Sequence, residues 1–363
     1  MVSNLLRGLA EIRDEWSPLF ELFALSDLSW SGKPTISDDL PGTVKEGLAG
    51  RGTRGVSLRN ARRLFLPQVA SKYAALHMPE SFGTPLGRTP PLIATCHDLI
   101  PLRFPREYLG PGPTAQLRRF KDERRYSRAD RVVCISPKTA SDLKELLGIG
   151  PPRASVAWLG IDLEAWRRRA ELTEPLSRLG VVRERYVVYA GYSDYRKNVR
   201  GMFGALTHAR KQGLDLELVW AGHLPPTRRR EVDALVQEFG LEDAVKFVGF
   251  VSREDLIALF QGALAHLFLS RLEGFGLSVA EAMAARCPVV VARSSGVDDV
   301  AGDAAVIVDP DVPEEAGQAL LRIAREPSFA EQLRSSGEAR SHLYDYRRMA
   351  RDYVGVYREV TGV

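Results

Sequence analysis

Two rhythms alternate along the second half of the chain. Short runs that are apolar at every position, "RYVVYAGY", "LELVWAGH", "VKFVGF", "LAHLFLS", "PVVVA" and "AAVIVD", are separated by longer stretches. Those stretches, "NVRGMFGALTHARKQG", "RRREVDALVQEFG", "SREDLIALFQGA" and "LSVAEAMAA", carry apolar residues every three or four positions. A strand apolar on both faces belongs in a sheet covered on both sides, and helices between such strands make that sheet parallel. The pattern predicts a Rossmann-like domain, with ligands expected at the carboxyl ends of its strands.

The first half repeats the theme less cleanly. "LFELFAL", "AALHMPE", "PLIATCHDL", "DRVVCIS" and "ASVAWLG" read as strands, and "SPKTASDLKELLG" as a helix with Ser136 at its N-cap and Pro137 in its first turn. Residues 31–57, rich in Gly, Pro and Thr and without periodicity, read as a long mobile loop. "ELTEPLSRLGV" reads as a linker, and "RRMARDYVGVYREV" as a helix that must dock its apolar face. The expected division is a first domain over 1–175, a second over 176–340 and a closing helix over 341–363.

A chain of 363 residues is long for one core, which agrees with two domains. No apolar run approaches the roughly 20 residues that cross a bilayer. The N-terminus lacks the apolar block of a signal peptide, so a cytoplasmic protein is expected. Cys96, Cys134 and Cys287 lie far apart in sequence, fit no zinc spacing and read as buried thiols. Charge is uneven: residues 1–180 hold 27 Lys+Arg against 20 Asp+Glu, and the remainder 23 against 26. Much of the excess sits in "LRRFKDERRYSRADR". That stretch is either a solvated helix face or a surface drawn to anions, such as a membrane leaflet or a phosphate-bearing substrate. No nucleic-acid module accompanies it. Neither G-x-G-x-x-G after a first strand nor a P-loop is present, which argues against dinucleotide and P-loop enzymes.

Candidate chemistry concentrates in "SRLEGFGLSVAEAMAARCPVVVA". With a strand before it and a helix after, Gly274-Phe275-Gly276 is the turn between them. The amides of Phe275, Gly276, Leu277 and Ser278 would then point out of the helix N-terminus, where anions are favoured. Glu273 at the strand end is set to accept hydrogen bonds from hydroxyls. Glu281, about one turn into the helix, suits the two hydroxyls of a ribose. Ala280, Ala282, Ala284 and Ala285 allow close packing on the sheet. Lys197 comes after a strand-ending glycine and precedes a helix, a phosphate-binding position, and His97-Asp98 ends another strand. The plain alternatives are a solvated carboxylate, a surface lysine and a structural histidine. His77, His208, His223, His266 and His342 receive no role.

"EGFGLSVAEAMAARCPVVVA" resembles the donor-binding motif of retaining glycosyltransferases of family 4, and further blocks keep the family's order. These are "ATCHDLIPLRFP", "ADRVVCISPKTASDL", "WLGID", "VVYAGYSDYRKN" and "VKFVGFVSREDLIALF". The resemblance implies the GT-B fold of two facing Rossmann-like domains and retention at the anomeric carbon without metal or other cofactor. It implies that Arg196, Lys197 and the Gly274, Phe275, Gly276 and Leu277 segment hold the donor diphosphate, that Glu281 holds the ribose, and that Phe250 and Val251 lie by the base. Glu273 and His97 would serve the transferred sugar. Two departures stand out. Tyr192 replaces a common arginine, and the chain opens in the helix "VSNLLRGLAEI", so the N-domain is expected to lack its usual first strand. The expected function is hexose transfer, with mannose favoured, from a nucleotide diphosphate sugar to a glycan or lipid-linked hydroxyl acceptor. Peripheral membrane contact through the basic half is expected, and nucleic acid is not an expected partner. The alternatives are a non-catalytic nucleotide-sugar-binding partner subunit and, more distantly, a phosphorylase or epimerase.

Overall fold

The computed structural model describes residues 2–16, 25–28, 34–36, 74–79, 90–110, 112–293 and 295–362. The chain forms two compact units, one from residues 1–160 and 345–363, the other from 161–344. The chain thus leaves the first unit at Gly160, not at 175, and re-enters it at Asp345. The stretch read as a linker contains the helix Thr173–Arg178, whose Leu176 is buried. Gly262 leaves the space for it: a Cβ there would stand 2.8 Å from Leu176 Cδ1. A short, mostly polar helix with one leucine looks like a linker until the pocket for that leucine is seen.

In the first unit, strands β1 (Leu25–Leu28) and β2 (Pro34–Ile36) pair antiparallel. Strand β2 lies inside the stretch read as a loop. Three residues are too few to show a period of two, and pairing with β1 orders them. The rest of that stretch, and "LFELFAL" up to its final Leu25, fall outside the described residues. A parallel sheet comes next, in the order of the chain: β3 (Leu76–Met78), β4 (Leu92–Cys96), β5 (Arg131–Cys134) and β6 (Ala154–Val156). Cys96 and Cys134, distant in sequence, are register partners on β4 and β5, both buried and unbonded. Burial pushes the Cys96 thiol well above its usual range. Ser136 caps the helix Pro137–Leu147 by accepting from the Thr139 amide at 3.1 Å. The helix Tyr346–Thr361 packs on Val2–Glu11 within this unit. Gly8 permits that approach, since a Cβ there would lie 2.5 Å from Tyr346 O. Tyr353 and Tyr357 on the same helix hydrogen-bond Thr95 at 2.9 Å and His77 at 2.8 Å.

The second unit holds β7 (Tyr186–Ala190), β8 (Glu217–Ala221), β9 (Val245–Gly249), β10 (Ala265–Phe268), β11 (Val289–Ala292) and β12 (Val306–Val308). Each of the six apolar runs supplies one strand. They form one parallel sheet ordered β12-β11-β10-β7-β8-β9. The chain adds strands outward from β7 in one direction and then from β10 in the other. The crevice at the carboxyl ends of β7 and β10 is therefore the switch point where open α/β sheets bind ligands. Both units are Rossmann-like.

Candidate donor site

The site in the second unit is built by the segments that leave the carboxyl ends of β7 and β10. After Gly191, Asp194 Oδ1 accepts from the Arg196 amide at 3.1 Å and caps a 3₁₀ turn, Tyr195–Lys197. Asn198 then takes a left-handed conformation (φ +53°), and its Oδ1 accepts from the Gly201 amide at 3.2 Å to open the helix Val199–Lys211. These two caps in succession turn Arg196 and Lys197 inward, leaving them only 7% and 6% exposed.

Glu273, on the segment after β10, meets both cations. Lys197 Nζ lies 2.6 Å from Glu273 Oε1, and Arg196 Nη1 pairs with Oε2. Ser270 Oγ donates to Oε1 at 2.6 Å. Arg196 also donates to Leu272 O at 3.1 Å and to the Tyr192 hydroxyl at 3.2 Å. Its Nε faces Asp194 Oδ2 at 3.1 Å without the alignment of a hydrogen bond. Lys197 Nζ sits over the Phe268 ring, 5.0 Å from its centroid. Burial disfavours the Lys197 charge and lowers its pKa; Glu273 opposes this and Arg196 adds to it. Burial also works against the Arg196 charge, but Glu273 and Asp194 outweigh it and raise that pKa. Such a buried cluster stays folded because each charge has a partner.

The next segment begins the helix Leu277–Ala284. Gly276 caps it with φ +90°, and a Cβ there would meet Val297 Cγ2 at 3.0 Å. The first amides of a helix have no partner within it, so this end carries partial positive charge toward the crevice. Phe275 is buried edge-on against Tyr344, centroids 5.3 Å apart. Burial pushes the Glu281 carboxyl up to about 8, with Arg253 pulling in the opposite sense. His266 Nδ1 donates to Val188 O at 2.9 Å, which leaves Nε2 to accept from Ser278 Oγ at 3.2 Å. Beyond β9, Phe250 is 91% exposed and Val251 is half-buried.

His97 belongs to the first unit. Its Nε2 donates to Pro79 O at 2.8 Å, so Nδ1 is the acceptor nitrogen. The neighbouring Asp98 Oδ1 accepts from the Ile100 amide at 3.1 Å. The structure thus groups Arg196, Lys197 and Glu273 tightly. It sets Gly274 to Leu277 and Glu281 on the adjoining segment, Phe250 and Val251 after β9, and His97 in the other unit. Tyr192, Asp194, Ser270 and His266 were not singled out as site residues. Asp194 had a readable signal, a capping residue just before "YRKN"; Ser270 lies only three residues before Glu273, but a lone serine there does not mark which group its hydroxyl meets. Among the described residues, no three His, Cys, Asp or Glu side chains are grouped to hold a metal, and no helix is long and apolar enough to cross a membrane.

Comparisons with known proteins agree with this architecture. Residues 178–340 match the family model described as glycosyl transferases group 1, and residues 31–165 match glycosyltransferase family 4. The O-antigen chain mannosyltransferase B of Escherichia coli is 28% identical over 201 residues, 53% of this chain and 50% of that protein. The chain thus spans about half the length of that curated relative. The solved sucrose-phosphate synthase of Thermosynechococcus elongatus shares the fold with a TM-score of 0.70 at 22% identity, over 85% of this chain and 78% of that one. Anabaena HepE, solved in complex with UDP and glucose, gives a TM-score of 0.68 at 17% identity, over 85% and 83%. Two parallel Rossmann-like sheets, each matched by its own glycosyltransferase model, place the chain in one family: it belongs to the GT-B glycosyltransferases of family 4.

Proposed function

We propose that the protein is a retaining, metal-independent hexosyltransferase that uses a nucleoside diphosphate sugar as donor. The observation that carries this reading is the pair of buried cations, Arg196 and Lys197, beside Glu273 at the switch point, in a chain of this family. Arg196, Lys197 and the helix start from Gly274 to Leu277 hold the diphosphate; Glu281 accepts the ribose hydroxyls, and Phe250 and Val251 lie by the base. Cleavage sends the electron pair of the anomeric C1–O bond to the departing phosphate, where the cations stabilise the growing charge. The acceptor oxygen bonds C1 on the same face, and its proton passes to the leaving phosphate oxygen. Glu273 positions the sugar hydroxyls, and His97 Nδ1 accepts from the sugar or the incoming acceptor.

Mannose is the favoured sugar because the Escherichia coli relative is named a mannosyltransferase. The UDP and glucose bound in HepE support a nucleotide-sugar pocket of this general kind. The acceptor is a glycan or lipid-linked hydroxyl, and the basic first half suits docking at an anionic membrane surface. Calorimetric titration of UDP and GDP into wild type and Glu281→Ala tests the donor site. One of the two nucleotides should bind wild type. With the Glu281 carboxyl largely neutral near pH 7, losing one or two ribose hydrogen bonds costs about 0.5–1.5 kcal/mol each, a severalfold or greater loss of affinity. Equal binding by both proteins removes Glu281 from the site, and binding of neither nucleotide rejects the donor reading. With donor and acceptor supplied, Glu273→Ala and His97→Ala should abolish transfer.

A further inference from the structure

Glu273 occupies, with both carboxylate oxygens, the two cations assigned to the diphosphate in the proposed function. Oε1 takes Lys197 Nζ at 2.6 Å and the Ser270 hydroxyl at 2.6 Å, while Oε2 takes Arg196 Nη1. All three charged groups are nine-tenths buried, so water screens them little and the pairing is strong. We propose that Glu273 is an internal counter-ion which a nucleoside diphosphate must displace or share, and that this makes it the residue separating the intact nucleotide sugar from the spent nucleotide. The inference rests on the donor-site reading and extends it.

The two ligands meet Glu273 differently. A bare nucleoside diphosphate brings negative charge to Lys197 and Arg196 and gives the displaced carboxylate nothing in return. The carboxylate remains buried, with Ser270 as its donor and phosphate oxygens as neighbours. A nucleotide sugar brings the same phosphates together with hydroxyls that donate to Glu273 and replace the lost ion pairs. After transfer those hydroxyls leave on the product. Glu273 then recaptures Lys197 and Arg196 and favours release of the nucleotide. Asp194, paired with Arg196 through Oδ2, keeps one cation partnered throughout.

The sign of a substitution effect distinguishes this from a purely structural ion pair. Glu273→Gln keeps the shape and removes the charge. UDP or GDP, whichever binds wild type, should bind this variant at least tenfold more tightly by calorimetry, while its turnover falls. Ser270→Ala removes the donor that the displaced carboxylate keeps and should weaken the same nucleotide severalfold. This second variant decides the matter if thermal melting shows Glu273→Gln to be unfolded. The affinity of the corresponding nucleotide sugar should change far less than that of the nucleotide in either variant. A folded Glu273→Gln that binds the nucleotide no more tightly than wild type, or a Ser270→Ala that binds it no more weakly, overturns the counter-ion role while leaving the donor site intact. Binding of neither UDP nor GDP to wild type or to any variant rejects the donor site itself, and the inference with it.

Discussion

Burial of Glu281 sets up a dependence on pH that belongs to one side chain. Its carboxyl is raised from 4.5 to about 8, chiefly by desolvation. A group with a higher pKa folded than unfolded holds its proton more tightly in the native state, so its contribution is lost as pH rises. The loss begins near pH 4.5 and is complete above about 8. Glu281→Gln, which resembles the neutral acid, should change the melting temperature little at pH 5 and raise it by several degrees at pH 8. The difference between the two pH values is on the order of 3 kcal/mol. An equal shift at both would show that the carboxyl ionises freely. Glu273, Glu281 and Lys197 were readable as candidates because residue type and local spacing sufficed. Ser270, three residues before Glu273, and Tyr192, noted only as replacing an arginine and four residues before Arg196, were not read as partners. The shape of the connecting turn decides whether such near neighbours touch.

The helix Leu277–Ala284 shows what an element requires of the residue that opens it. Gly276 has φ +90° and faces Val297. Gly276→Ala forces a Cβ into that conformation, which costs about 1–2 kcal/mol before any clash is relieved. The variant should melt lower and bind nucleotide more weakly, because the helix start must shift. Gly355, with nothing within 4 Å of its would-be Cβ, is the control. Gly355→Ala removes a flexible residue from a helix interior and should be neutral or stabilising by up to about 1 kcal/mol. If both variants melt alike, the Gly276 argument is wrong. At this scale the sequence read well wherever burial on both faces made a strand wholly apolar. It failed at Thr173–Arg178 and Pro34–Ile36, where a single buried leucine or a partner strand decides the structure.

The second unit begins and ends at one place. Ile161 N donates to Tyr344 O at 2.7 Å, and all six strands of its sheet lie between those residues. Residues 161–344 expressed alone should therefore fold, with a cooperative thermal transition and mixed α/β circular dichroism. A broad, non-cooperative melt would show that the segment depends on the remainder of the chain. The first unit is built otherwise, since its last helix arrives after the whole second unit. Shortening the chain to 1–344 would strip Tyr353 and Tyr357 from Thr95 and His77, leaving polar groups of β3 and β4 without those partners.

By itself the sequence determined the class of the fold, the six-strand rhythm of the second unit and the types of residue that could bind a nucleotide sugar. These depend on periodicity, capping and local motifs, which act over a few residues. Only the tertiary structure decided that Glu273 neutralises Lys197 and Arg196, 76 and 77 positions away, and that Tyr357 closes onto His77 across 280 residues. Long-range pairings arise from packing the sheets and helices together, and no local pattern encodes which side chains will then meet.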